Sequence, residues 1–114
     1  MNLLVKPLTG ILGVVLMIAG IAGFFRETGT LPVDMTQNIV HLGSGIIGIV
    51  AYGRSQIASR QYLLLFGVIY AVIAAIGFVM GKLLFNVFET GMIDNWFHIT
   101  VAVACLIVSL GSGK

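Results

Sequence analysis

Four long stretches of the chain contain no charged residue, and this feature limits the possible folds more than any other. A helix needs about 17 to 25 apolar residues to cross the hydrocarbon core of a lipid bilayer. Inside lipid each backbone polar group must find its partner within the protein, so a spanning segment is helical. The sequence therefore predicts four membrane helices, at about residues 8–25, 36–53, 62–81 and 95–110.

The composition agrees with a membrane protein of a single domain, residues 1–114. Hydrophobic residues make up 59% of the 114 residues and charged residues only 9%, whereas a soluble domain carries about 25% charged residues. A chain this short has too little interior to hide that much apolar surface from water. The predicted fold class is all-α, an integral membrane four-helix bundle. The single cysteine, Cys105, allows no intrachain disulfide and is interpreted as a small packing residue.

The charges between the predicted helices indicate an orientation. Four of the six basic residues fall on one side, Lys6, Arg54, Arg60 and Lys114, and two on the other, Arg26 and Lys82. The positive-inside rule then places both termini in the cytoplasm of a multi-pass protein of the plasma membrane. The acids all fall on the outer side: Glu27, Asp34, Glu89 and Asp94. Trp96 suits the outer interface, and Tyr52 and Tyr62 suit the inner one.

The basic residues form no stripe interleaved with aromatic residues, so the sequence predicts no nucleic-acid partner. The lipid bilayer is the expected environment.

Two halves of the chain resemble each other. "GIAGFF" at 20–25 is similar to "AAIGFV" at 74–79, and "MTQNIVH" recurs as "MIDNWFH". A two-helix unit repeated in the same orientation gives parallel repeats, related by an axis along the membrane normal. The sequence therefore predicts a bundle of two parallel two-helix repeats.

The second recurring motif places a polar pair, Asn38 and His41 and then Asn95 and His98, near the outer ends of helices 2 and 4. Residues three apart share a helix face, and polar groups at that depth normally face protein or water. We expect one polar cluster from these four residues. Three interpretations remain open. The cluster could join the helices through His41–Asn95 and His98–Asn38 hydrogen bonds, its histidines could hold a b-type haem or a metal, or it could handle protons.

Small residues recur along the predicted helices at positions where helix backbones could approach each other. We expect helix packing at Gly23, Gly48, Gly67, Ala71, Ala75 and Gly77. Such faces could also bind a second copy of the chain, giving a homo-oligomer, or another membrane protein. No Ser/His/Asp or Cys/His arrangement indicates catalysis, so an enzyme is not predicted.

Three stretches, "NIVHLGSGIIGIVAYGRS", "RQYLLLFGVIYAVIAAIGF" and "DNWFHITVAV", resemble a small bacterial membrane family, the domain of unknown function 4383. The similarity runs from about Gly10 to Leu110, and the two Asn-x-x-His motifs are its most specific part. It implies a four-helix integral membrane domain and no activity. The predicted function is therefore non-enzymatic, a structural or accessory membrane protein. A cofactor-binding protein with haem b, or a metal, on His41 and His98 is the alternative.

Overall fold

The computed structural model describes residues 1–26, 32–80, 83–84, 88–89 and 92–112, and the side chains of 1–24, 37–79 and 95–112. Four helices dominate, which confirms the predicted number and the helical class. The elements in chain order are α1 (Asn2–Arg26), α2 (Pro32–Arg54), α3 (Gln56–Met80), β1 (Leu83–Leu84), β2 (Phe88–Glu89) and α4 (Met92–Leu110). Some of the charges behind the predicted orientation lie outside the described residues, namely Glu27, Lys82 and Lys114, and the side chains of Arg26, Asp34, Glu89 and Asp94.

Two of the helices are long and apolar enough to cross a membrane, at Asn2–Phe24 and Gln56–Val79. The apolar part of α4, Asn95–Leu110, is shorter. The described part of α2 has a lower mean hydropathy than these two helices, because Gln37, Asn38 and His41 are polar. The four spans of the sequence-based prediction therefore reduce to two by length and composition.

The connection between α2 and α3 consists of one residue, Ser55. We expected a loop there that carries Arg60, and this was wrong, because Arg60 lies inside α3. The Ser55 hydroxyl oxygen accepts a hydrogen bond from the backbone N–H of Ala58 at 2.9 Å, which caps the new helix at once. The Ser59 hydroxyl donates to the carbonyl of Ala51 at 3.1 Å, so the end of α2 is tied to the start of α3.

A small antiparallel ladder, which the sequence did not predict, lies between α3 and α4. Leu83 pairs with Glu89 and Leu84 with Phe88. β1 lies near α3 and β2 near α2. Backbone N–H and C=O groups outside a helix need other hydrogen-bond partners. The pairing of the two short strands supplies such partners for residues of β1 and β2.

Glycines bring α1 and α2 into backbone contact. A Cβ atom at Gly20 would lie 2.6 Å from the backbone nitrogen of Leu42, and one at Gly13 would lie 2.9 Å from that of Ile49. Neither approach is possible for a residue with a side chain unless a helix moves. The two helices therefore form a tight antiparallel hairpin, as small residues allow in membrane helices.

The buried positions follow a stripe on each helix. Those of α2 and α4 correspond at a separation of 57 residues, the separation of the two histidines. The buried residues of α2 are Asn38, His41, Ser44, Gly45, Gly48 and Ala51, and their counterparts on α4 are Asn95, His98, Val101, Ala102, Cys105 and Val108. Burial on α1 recurs on α3 in the same way, with Val5, Thr9, Gly13, Leu16, Gly20 and Gly23 matching Ser59, Leu63, Gly67, Tyr70, Ala74 and Gly77.

The small residues singled out for packing differ in their placement. Gly23, Gly48, Gly67 and Gly77 are buried, and Ala71 is partly buried. Ala75, in contrast, lies on the exposed side of α3. A helix turns about 100° per residue, so each step of four advances about 40° beyond a full turn. Two such steps from Gly67 carry Ala75 away from the buried stripe.

Candidate functional site: a buried histidine pair

The two histidines of the chain meet inside the bundle. His41 of α2 and His98 of α4 are buried, and their Nε2 atoms lie 3.4 Å apart in a hydrogen bond. Within the described residues, no Cα atom of α2 comes within 8 Å of one of α4. The imidazole rings therefore bridge two helices whose backbones stay apart. In such a bond one Nε2 carries the proton and the other accepts it.

Aromatic rings surround the pair. The ring of Tyr70, from α3, packs against His98 with centroids 5.5 Å apart. The ring of Phe97 meets His41 edge to face at 5.8 Å. Phe97 also meets His98 edge to face at 5.9 Å, so the phenyl ring contacts both histidines, and the described contact with the Tyr70 phenol belongs to His98.

One turn further along α2, Ser44 is the acceptor for two buried tyrosines. The Tyr70 hydroxyl donates to the Ser44 hydroxyl oxygen at 3.1 Å, and the Tyr62 hydroxyl donates to the Ser44 carbonyl at 2.7 Å. Tyr62 is therefore a core residue, and its predicted interfacial position was wrong. Gly48 leaves room for its ring, since a Cβ there would lie 2.8 Å from Cζ of Tyr62. A tyrosine inside an apolar span needs a partner for its hydroxyl, and that signal was present in the sequence.

The two asparagines are buried one turn before the histidines on the same helix faces. Among the described residues, Asn38 Nδ2 and Asn95 Oδ1 have no hydrogen-bond partner. Asn38 lies against α1 at Gly23, where a Cβ atom would collide with its side-chain oxygen. Asn38 Nδ2 is a donor and Asn95 Oδ1 is an acceptor, and a water molecule can satisfy both kinds of group.

The two Nε2 atoms lie closer together than two nitrogens bound to one haem iron. Two axial nitrogens on one iron lie about 4 Å apart, because each metal–nitrogen bond is about 2 Å long, and the porphyrin plane separates the rings. Here the two Nε2 atoms are 3.4 Å apart and in direct contact. The described residues also contain no group of three or more His, Cys, Asp or Glu that could hold a metal ion.

An apolar groove of about 510 Å³ lies at the opposite end of the α1–α2 hairpin from the histidines. The Lys6 ammonium lies beside it, over the ring of Tyr52, at 5.2 Å from the ring centroid. The residues that line the groove are Pro7, Gly10, Ile11, Val14, Val15, Ile49 and Tyr52. Tyr52 is the one titratable residue among those that line it.

The fold and the site define a four-helix protein whose interior carries a bridged histidine pair. The chain belongs to the family described as domain of unknown function DUF4383, whose profile matches residues 6–111. That range contains α2, α3, α4, all of α1 except its first four residues, and all four residues of the Asn-x-x-His motifs. No curated protein and no solved structure gives a significant match.

Proposed function

We propose that the protein is an integral membrane protein of structural or accessory type, without enzymatic activity, whose two helix pairs are joined through His41 and His98. The observation that carries the proposal is the 3.4 Å Nε2–Nε2 hydrogen bond between helices with no close backbone approach. Interhelical hydrogen bonds of this kind hold membrane helices together. A bridge in the interior also sets the register of α2 against α4.

The exterior of the bundle supports a lipid environment. Large apolar side chains are exposed on every helix, for example Ile11, Ile47, Leu65 and Ile107. Soluble monomers rarely expose so much contiguous apolar surface. The longest dimension, 45 Å, is comparable with a bilayer of about 40–45 Å including its headgroup regions.

The described charges favour one orientation. Lys6, Arg54 and Arg60 all lie at the end of the bundle away from the histidines. With the positive-inside rule, this end faces the cytoplasm together with both termini. Trp96, whose side chain is 60% exposed, is then at the outer interface, where indole rings are enriched.

The recurrence of buried positions supports two parallel repeats. His41 and His98 occupy equivalent positions of the two halves and contact each other. In a two-fold arrangement, a residue that meets its own equivalent lies at the axis. A pseudo-two-fold axis along the membrane normal that passes between the two imidazoles would account for the recurrence of buried positions and for the contact between the histidines.

Membrane extraction tests the first part of the proposal. The full chain should stay in the membrane fraction after an alkaline wash and should leave it only with detergent. Release by the wash alone would show a peripheral or soluble protein.

Orientation is tested with single cysteines introduced at Lys6, Ser55, Thr30 or Thr90 of a Cys105→Ala chain. Positions 30 and 90 lie in connections outside the described residues. A reagent that does not cross membranes should label positions 30 and 90 from outside, and positions 6 and 55 only after the membrane is opened. The reverse pattern contradicts the orientation.

A further inference from the structure

We propose that the His41–His98 pair is a proton-binding site that takes up one proton per chain from the outer end of the bundle. The proposal rests on the histidine bridge of the proposed function and adds a ligand to it. Its first support is the bond itself, since an Nε2–Nε2 hydrogen bond holds one proton between two bases.

The chemistry of the pair limits it to one added proton. The ring that donates its Nε2–H carries its basic lone pair on Nδ1, and a proton that binds there converts the ring to an imidazolium. The bridge then becomes a charge-assisted hydrogen bond, which is stronger than a neutral one. A second added proton would go to the Nε2 of the other ring, which would leave two N–H groups facing each other without an acceptor. The pair therefore binds one proton while the bridge lasts and separates if it binds two.

The polar groups next to the pair on its outer side are two asparagines. Asn38 and Asn95 lie one turn outward from the histidines, and their unpaired Nδ2 and Oδ1 atoms can bind water. Water there would connect the pair with the outer solution. In the other direction, the described hydroxyl groups lead only from Tyr70 to Ser44 and from Tyr62 to the Ser44 carbonyl. A carbonyl accepts but does not pass on a proton, so this described chain of hydroxyl groups ends at Ser44.

The other titratable groups that face this region are few. α3 presents Tyr70 and, deeper in the core, Tyr62, and α4 presents Cys105 two turns deeper than His98. The buried residues of the outer half of α1, Leu16, Gly20 and Gly23, carry no titratable group. The described cationic side chains lie at the far end. Arg26, Asp34 and Asp94 belong to helix turns at the outer end, and their side chains are outside the described set.

Nitrogen NMR of the full chain in detergent micelles tests the proposal directly, because the protein has only two histidines. With both rings ¹⁵N-labelled, a nitrogen–nitrogen coupling across the hydrogen bond reports the bridge. We expect this coupling at neutral pH. On acidification, the signals of both rings should move together with the uptake of one proton, and the coupling should persist.

The outcomes separate the two proposals. A missing coupling in the folded protein overturns the bridge and the proton site together. A coupling that is present while the rings bind no proton down to the pH of unfolding overturns the proton site alone. Two protons taken up in independent steps with the coupling retained also overturn it. In His41→Gln, the remaining His98 should titrate as a single ring with no coupling, and circular dichroism checks that this variant is folded.

Discussion

Asn38 fills the space that a side chain at position 23 would occupy, so Gly23 and Asn38 fit together as a single contact between α1 and α2. Asn38 is also one turn from His41, on the same buried face. The glycine on α1 therefore fixes the amide at the outer end of the histidine pair. A substitution at position 23 should therefore alter the surroundings of the histidine pair although both histidines are retained.

We predict that Gly23→Ala destabilises the protein by about 1–3 kcal/mol, the usual cost of overpacking. The added methyl group would push Asn38 out of its place. Gly43→Ala is the matched control, because a Cβ there meets nothing within 4 Å; it should be neutral or stabilising by up to about 1 kcal/mol. Unfolding in mixed micelles with increasing detergent denaturant measures both. Equal stabilities of the two variants would contradict the contact.

The histidine bridge predicts energetic coupling between positions 41 and 98. In a double-mutant cycle with His41→Ala and His98→Ala, we expect about 0.6–1.7 kcal/mol of coupling, the range found for interhelical hydrogen bonds in membranes. Alanine removes the ring and adds no new partner, as such a cycle requires. His41→Ala combined with Thr100→Val is the control, since Thr100 is exposed and its described hydrogen bond goes to the Trp96 carbonyl of its own helix. Additive effects at 41 and 98 would show that the rings do not interact.

Removal of the Tyr62 hydroxyl should cost about 1 kcal/mol, because its short bond to the Ser44 carbonyl is lost. Tyr62→Phe keeps the ring in its place beside Gly48, so the change isolates the hydrogen bond. Tyr52→Phe is the control, since Tyr52 is 46% exposed, and it should change the free energy of unfolding by less than about 0.5 kcal/mol. If the two variants are equally stable, the Tyr62 hydroxyl contributes nothing in the core.

Ser55→Ala removes the cap of α3 and should cost about 0.5–2 kcal/mol. The hydroxyl accepts the N–H of Ala58, and alanine offers no replacement. Ser112→Ala, beyond the end of α4, removes a serine hydroxyl bond that caps no helix start and should have little effect. Thermal unfolding followed by circular dichroism compares them. A Ser55→Ala protein as stable as its control would mean that the first turn of α3 forms without the cap.

The number of helices and the positions of Asn38, His41, Asn95 and His98 follow from patterns that are local in the sequence. A charge-free stretch, or a polar pair three residues apart, is complete within one helix. Because the halves are similar, the histidines could also be expected at equal depth. The partner of each histidine could not be foreseen, since it depends on ring orientations across two helices. One of the three interpretations joined each histidine to an asparagine, and the described hydrogen bond between α2 and α4 joins the two rings.

The misplaced residues share a physical reason. Tyr62 is buried because Gly48 on another helix leaves a space for its ring, a relationship between residues distant in sequence. Arg60 is helical because one hydroxyl at Ser55 starts α3 at once. Each depends on a single contact in three dimensions, whereas charge rules and interface preferences describe averages over many proteins.

The unlike surroundings of the two histidines have a consequence for how such a protein can evolve. At the positions that match Tyr62, Tyr70 and Ser44, the other half carries Leu8, Leu16 and Val101. A dimer of identical chains must change both copies together, so its two rings stay interchangeable. In a single chain that contains two repeats, as we propose, one half could acquire hydroxyl groups while the other stayed apolar. Two equivalent histidines would then become chemically distinct, and each could be selected for a task of its own.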